Sequence, residues 1–214
     1  LSMIPITVVE FGTEEEALVL EVIRSGNVAQ GPKVKQLEDS FAQLVGVKHA
    51  IAVNNGTTSL VASLEVLDLT PGDEVVTSPF TFVATLNAIL EAGATAVFAD
   101  ISEDDFAINA QTSQSALTPR SKVVMPVHLY GQAADMRAIA DVARRHNLAI
   151  VEDCCQAHLA TCEGRPVGRD SAAAAYSFYP TKNLGALGDG GALTTSDPAL
   201  LARVKRLRNG GQTD

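Results

Sequence analysis

The chain has 214 residues, of which 46% are hydrophobic and 19% charged, enough to bury one good-sized core rather than several. Its 25 acidic and 16 basic residues give a net charge of −9, which excludes broad electrostatic capture of nucleic acid or of an anionic membrane. No apolar run reaches the length of a transmembrane helix, and Glu10, Glu14, Glu15 and Glu16 fall where a signal peptide needs its apolar core. Three cysteines, an odd number, give no disulfide framework, so a reduced cytoplasmic protein is the expectation. Leu1 and Ser2, ahead of Met3, are set aside.

In chain order, residues 24–36 (RSGNVAQGPKVKQ) are polar and lead into a helical pattern over Val34–Leu44. The first strand candidate is His49–Val53, followed by the turn NNGTTS and a helical pattern over Thr58–Leu67. Asp68 and Pro71-Gly72-Asp73 turn the chain into the strand Glu74–Ser78. The helix Ala84–Ala92 and the strands Thr95–Ala99 and Lys122–Val127 come next. In Met136–His146, Met136, Ile139, Ala140 and Ala143 recur at the 3.6 period, with Arg144 and Arg145 off that face. The strands Leu148–Glu152, Ala173–Phe178 and Gly191–Thr195 and a helix over Pro198–Leu207 complete the pattern. Such alternation predicts an α/β fold with a largely parallel sheet covered on both faces. The ending RNGGQTD supplies no closing element, so the protein is expected to be incomplete.

Four segments carry chemistry. In SFYPTKNLGALGDGG, Lys182 follows a strand and precedes Gly185, Gly188, Gly190 and Gly191, a loop where backbone can approach a ligand. A lysine amine forms Schiff bases with aldehydes, although most lysines merely sit in solvent. In LAIVEDCCQAH, a strand delivers Asp153 to the carboxyl edge of the sheet, where open α/β folds bind ligands. A carboxylate there can pair with a protonated ring nitrogen, or simply cap a helix. In NNGTTS, Gly56 allows a tight turn, and Thr57 and Thr58 offer N–H groups and hydroxyls at a helix start, an anion site or an ordinary cap. In PFTF, Phe82 can stack on a planar ring or pack in the core.

Together, in this order and each at a strand end, these segments resemble the DegT/DnrJ/StrS group of pyridoxal-phosphate (PLP) dependent sugar aminotransferases, of aspartate aminotransferase fold type I. The matching stretches are NNGTTSL, PFTFVATLNAI, PVHLYGQAADM, VEDCCQAH and SFYPTKNLGALGDGGALTT. The resemblance implies a three-layer α/β/α sandwich with a mostly parallel seven-stranded sheet. It divides the chain into an N-terminal segment, 1–34, and a PLP-binding large domain, 35–214, with the family's smaller C-terminal domain absent. It also implies that Lys182 holds the cofactor as a Schiff base and then shuttles the proton. Asp153 would bind the pyridinium nitrogen, and Gln156 would lie by the ring's 3′-oxygen. Phe82 would stack on the ring, while Ser177, Thr57 and Thr58 would hold the phosphate. The implied substrates are glutamate or glutamine as amino donor and a nucleotide-linked keto sugar, handled by a homodimer.

Two positions depart from the family pattern: Cys155 stands where a small residue is usual, and Leu159 where glycine is usual. A metal site at Cys154, Cys155, His158 and Cys162 is disfavoured, because adjacent cysteines point in different directions. His128 is placed at a strand end near the site. The competing expectation is a non-catalytic PLP-fold fragment that binds a partner.

Overall fold

The computed structural model describes residues 3–5 and 7–212. Leu1, Ser2 and the last two residues of the RNGGQTD ending therefore lie outside the described residues. Among the described residues seven α-helices run α1 (Thr13–Ser25), α2 (Pro32–Val45), α3 (Gly56–Glu65), α4 (Val83–Glu91), α5 (Ala110–Ala116), α6 (Met136–His146) and α7 (Pro198–Arg208), with a 3-10 turn over Leu129–Gly131. Nine strands run β1 (His49–Val53), β2 (Glu74–Thr77), β3 (Thr95–Phe98), β4 (Ser121–Met125), β5 (Ala149–Asp153), β6 (Thr161–Cys162), β7 (Arg165–Pro166), β8 (Ala173–Ser177) and β9 (Gly191–Thr195).

Seven of these strands form one sheet in the order β1-β9-β8-β5-β4-β2-β3. Only β9 runs against its neighbours, pairing antiparallel with both β1 and β8. That reversal has a consequence for the site. The connection from β8 to β9 begins and ends at one edge of the sheet, since Ser177 pairs with Gly191. The loop carrying Lys182 therefore stays at the carboxyl edge, beside the ends of β1, β2 and β5.

Alternation along the strands sorts the core onto two faces. Val75, Val123, Met125, Val151 and Ala175 meet α3 and α4, while Ile51, Ala173 and Leu193 meet α3 and α7. On the other face Ala50, Ala174 and Tyr176 meet Phe41 and Val45 of α2, and Val76 and Val124 meet Ile139 and Ala143 of α6. This is the expected three-layer α/β/α sandwich. Burying one such aliphatic side chain is worth roughly 1.5–3 kcal/mol, so these two seams hold the layers together.

The seven predicted strands are all present. α6 has the predicted bounds, with Ile139, Val142 and Ala143 buried and Asp135 capping its start through Ala138 N–H at 3.0 Å. Helices α1 and α5 and strands β6 and β7 lacked a sequence expectation. Helix α1 buries no residue, so its apolar positions gave no clean stripe. Helix α5 is only seven residues long, and the β6–β7 hairpin has two-residue strands. The helix expected from Val34 begins at Pro32, whose fixed φ suits a first helical turn.

Candidate active site

A cavity of about 450 Å³ opens at the carboxyl edge. Of the residues singled out in the sequence, Thr57, Phe82, Asp153, Gln156, Ser177 and Lys182 line it. Thr58 does not. Its N–H donates to the Asn55 side chain at 2.8 Å, which is the N-cap bond of α3. The N–H groups of Gly56 and Thr57, in the same first turn, are left over by helix geometry at the positive end of the helix dipole.

This turn is fixed by close contacts. A Cβ on Gly56 would lie 2.6 Å from Ser177 Cβ and 3.1 Å from Cys155 Sγ, so β1's exit turn sits directly on β5 and β8. A Cβ on Gly191 would lie 2.5 Å from the Asn55 carbonyl carbon and oxygen. The glycine that sequence reasoning assigned to ligand approach is thus needed for approach by the protein's own backbone.

Asp153, at the end of β5, is 5% exposed. Its Oδ1 accepts the Cys155 N–H at 3.1 Å and its Oδ2 accepts the Thr85 hydroxyl at 2.7 Å. Gln156 is oriented just as definitely. Its Oε1 accepts the Tyr130 N–H at 3.0 Å, so its NH₂ is the end left to donate. Tyr130 makes that bond from the left-handed region, at φ 54°, a conformation that a bulky residue holds at a cost of about 1–3 kcal/mol. Ser177 is buried, and its Oγ accepts the Tyr179 N–H at 3.3 Å. Phe82 is 63% exposed at the start of α4, so one face of its ring is open.

Burial pushes the Cys155 thiol well above its usual pKa, and the charge of Asp153 adds to this while Lys182 opposes it. Cys155 is therefore a neutral wall of the cavity, not a nucleophile. Cys154 is raised in the same way, by burial first and then by Glu152. Sequence reasoning missed Asn55, Thr81, Tyr179 and Asp189 as lining residues. Asn55 and Thr81 stood inside the motifs NNGTTS and PFTF, read there only for their neighbours.

Among the described residues Cys154, Cys155, His158 and Cys162 do not form one group of ligand atoms. Among the described residues the grouped ligand types are His128, Glu152 and Cys154. Hydrogen bonds already engage the histidine and the carboxylate. His128 Nδ1 accepts the Ala134 N–H at 3.1 Å, so its Nε2–H donates to Glu152 Oε2 at 2.9 Å. Gly168 N–H adds a further bond to that oxygen at 2.8 Å. This buried pair ties β4's exit to β5 behind Asp153.

The cavity fits PLP by its donors: free helix-end N–H groups beside Ser177 for a phosphate, an amine, a carboxylate and an open aromatic face. The model of the DegT/DnrJ/EryC1/StrS aminotransferase family matches residues 10–214. The spore coat polysaccharide biosynthesis protein SpsC of Bacillus subtilis is 46% identical over 204 residues, covering 95% of this chain and 52% of that protein. The dTDP-3-amino-3,4,6-trideoxy-α-D-glucose transaminase of Streptomyces venezuelae is 43% identical over 202 residues, covering 94% of this chain and 53% of that protein. The solved PLP form of Spr1654 from Streptococcus pneumoniae superposes with a TM-score of 0.90 at 29% identity, over 98% of this chain and 59% of that one. The chain spans about half the length of the curated relatives it matches. It belongs to the DegT/DnrJ/EryC1/StrS aminotransferase family, whose aminotransferases depend on PLP.

Proposed function

We propose that the protein is a sugar aminotransferase that moves an amino group from glutamate or glutamine to the keto carbon of a nucleotide-linked deoxysugar. The observation that carries this reading is the single cavity that brings Lys182, Asp153, Gln156, Phe82, Ser177 and the Gly56–Thr57 turn together. The exchange balances without an outside oxidant: the donor's amino-bearing carbon becomes a ketone, and the sugar's ketone becomes an amine.

PLP, when bound, supplies an aldehyde that condenses with amines and a ring that draws electrons from the adjacent carbon. Lys182 would be the amine that attaches it and the base that holds and returns a proton during transfer. Asp153, fixed by two donors, holds the ring-nitrogen proton. The NH₂ of Gln156 would be the donor to the ring's oxygen, and Phe82 would cover one ring face. Thr57 and Ser177 take the phosphate, with Thr58 supporting the same turn through its bond to Asn55.

The proposal places the enzyme in the cytoplasm as a homodimer. Among the described residues no helix is long and apolar enough to cross a membrane. The exposed side chains of Phe82, Tyr130 and Tyr179 near the cavity offer a face for a second copy. A second reading is a domain that binds PLP without turning over substrate. Visible absorbance tests the first part: the purified protein should show a band that Lys182→Ala removes, and a colourless wild type overturns the assignment. Turnover with glutamate or glutamine and a panel of nucleotide-linked keto sugars separates enzyme from binding domain. Lys182→Ala should lower that turnover by about 10²- to 10⁴-fold.

A further inference from the structure

The first turn of α4 does more than present Phe82. Thr85 lies three residues beyond it, on the same helical face. It is completely buried, and its hydroxyl reaches Asp153 Oδ2 at 2.7 Å. A second hydroxyl, that of Thr81, lies 2.7 Å from Thr85 Oγ1. Proton counting sets the direction of both bonds. An ionised carboxylate only accepts, so the one proton of Thr85 is committed to Asp153. Thr85 can then only accept from Thr81, whose side chain lines the cavity. The result is a directed chain from Thr81 through Thr85 to Asp153.

The geometry points to Thr85 as a positioning residue for Asp153, with Thr81 fixing Thr85; this rests on the reading of Asp153 as the partner of the cofactor's ring nitrogen. The Cys155 N–H holds Oδ1 and Thr85 holds Oδ2, at 3.1 and 2.7 Å. Two donors on two different oxygens fix the plane of the carboxylate, not just its place. A carboxylate held by one donor can rotate about its last side-chain bond, and a rotated group receives the ring proton poorly. Thr85 is a buried hydroxyl and Thr81 a half-buried one, and the loss of either leaves an acceptor unpaired, the situation in which one polar atom matters most. The relay also explains a sequence feature otherwise unused, the two threonines four residues apart in Thr81-Phe82-Val83-Ala84-Thr85.

The test compares Thr85→Val, which replaces the hydroxyl by a methyl of similar volume, with Thr85→Ser, which keeps it, and with Thr81→Val. PLP affinity is read by spectral titration of cofactor-free protein. Ring protonation is read from the ¹⁵N resonance of PLP labelled at its ring nitrogen. Thr85→Val should weaken PLP binding by about 10-fold and move the resonance away from the pyridinium position. Thr85→Ser should stay within about 2-fold and keep the wild-type resonance, and Thr81→Val should fall between them. A Thr85→Val protein with wild-type affinity and resonance overturns the proposal, as does a Thr85→Ser protein as impaired as the valine variant. If Thr85→Val does not fold, the serine and Thr81→Val proteins still decide: wild-type behaviour in Thr81→Val, or valine-like loss in serine, counts against it. A wild-type protein that binds no PLP instead refutes the underlying site reading, so the two failures are distinguishable.

Discussion

The two edges of the sheet treat their charges in opposite ways. At the amino edge, Glu74 opens β2 with its carboxylate almost fully buried, and neighbours satisfy it from several sides. Thr118 donates its hydroxyl, Arg120 donates through two nitrogens at 3.0 and 2.6 Å, and Ser121 adds a bond at 3.4 Å. At the carboxyl edge, Asp153 closes β5 with similar burial but keeps a face toward a cavity. Lys182 there makes no ion pair among the described residues, and the first N–H groups of α3 point outward. One edge closes its hydrogen-bond requirements internally, and the other holds donors and acceptors in reserve. A group satisfied within the protein stabilises the fold, whereas a fixed but unsatisfied group is available to a ligand.

After Lys182→Ala, the largest expected effect also lies at the open edge. Asp153→Asn keeps the size and much of the hydrogen bonding of the side chain while removing its charge. PLP should remain bound, and transamination should fall by about 10- to 1,000-fold, the range set by one opposite charge beside a titrating nitrogen. Single-turnover rates with the amino donor measure this. An unchanged rate would reduce Asp153 to its bond with Cys155, a turn-capping role. Next in size is Gly191→Ala, which forces a Cβ against the Asn55 carbonyl. Overpacking of this kind costs about 1–3 kcal/mol, read by urea unfolding, and displacement of the Asn55–Thr57 turn should weaken PLP binding as well. A loss of stability without a loss of affinity would separate that turn from the phosphate.

How much of this was readable in the sequence follows from range. The seven strands and α6 were legible because β-branched runs and the 3.6 period are local signals. The cavity residues Thr57, Phe82, Asp153 and Lys182 were legible as candidates because each lies in a short motif at a strand end. The reversed direction of β9 was not, since pairing with β1 joins residues about 140 positions apart and leaves no local mark. The role of Thr85 was hidden for the same reason: its partner lies 68 residues away. The Asn55 cap claims the N–H of Thr58, a pairing that Thr-Thr alone cannot reveal.

The closed edge should respond in stability alone. Glu74→Gln preserves shape but removes the charge that Arg120 neutralises, and should lower Tm by about 2–6 °C with PLP affinity unchanged. The Thr118 hydroxyl, and after it Arg120, hold the Glu74 carboxyl below its ordinary 4.5, against burial. Because the folded value is lowered, this contribution is complete above about pH 4.5 and is lost as pH falls through the folded value. Glu74→Gln should therefore flatten the acid limb of stability. A fall in PLP affinity without a fall in Tm would break the contrast between the edges.

The smallest expected effect lies at His158, behind the carboxyl edge. Its ring sits 5.9 Å from that of Tyr176 and 5.7 Å from that of Phe178, and neither nitrogen has a hydrogen-bond partner among the described residues. Burial pushes its pKa below the ordinary 6.5; the Ser177 backbone opposes this without a bond of proper geometry, and the charge of Lys182 pushes in the same direction as burial. A base with a lowered folded pKa binds its proton more readily when unfolded. Its contribution to stability is therefore complete above about pH 6.5 and shrinks as pH falls below it, levelling off beneath the folded value. His158→Phe replaces the imidazole by a ring that cannot titrate and can pack against Tyr176 and Phe178. Urea midpoints measured from about pH 7.5 down to about pH 5 should slope less in this variant than in the wild type. An unchanged slope would assign the mildly acidic sensitivity to another group and leave His158 as packing alone.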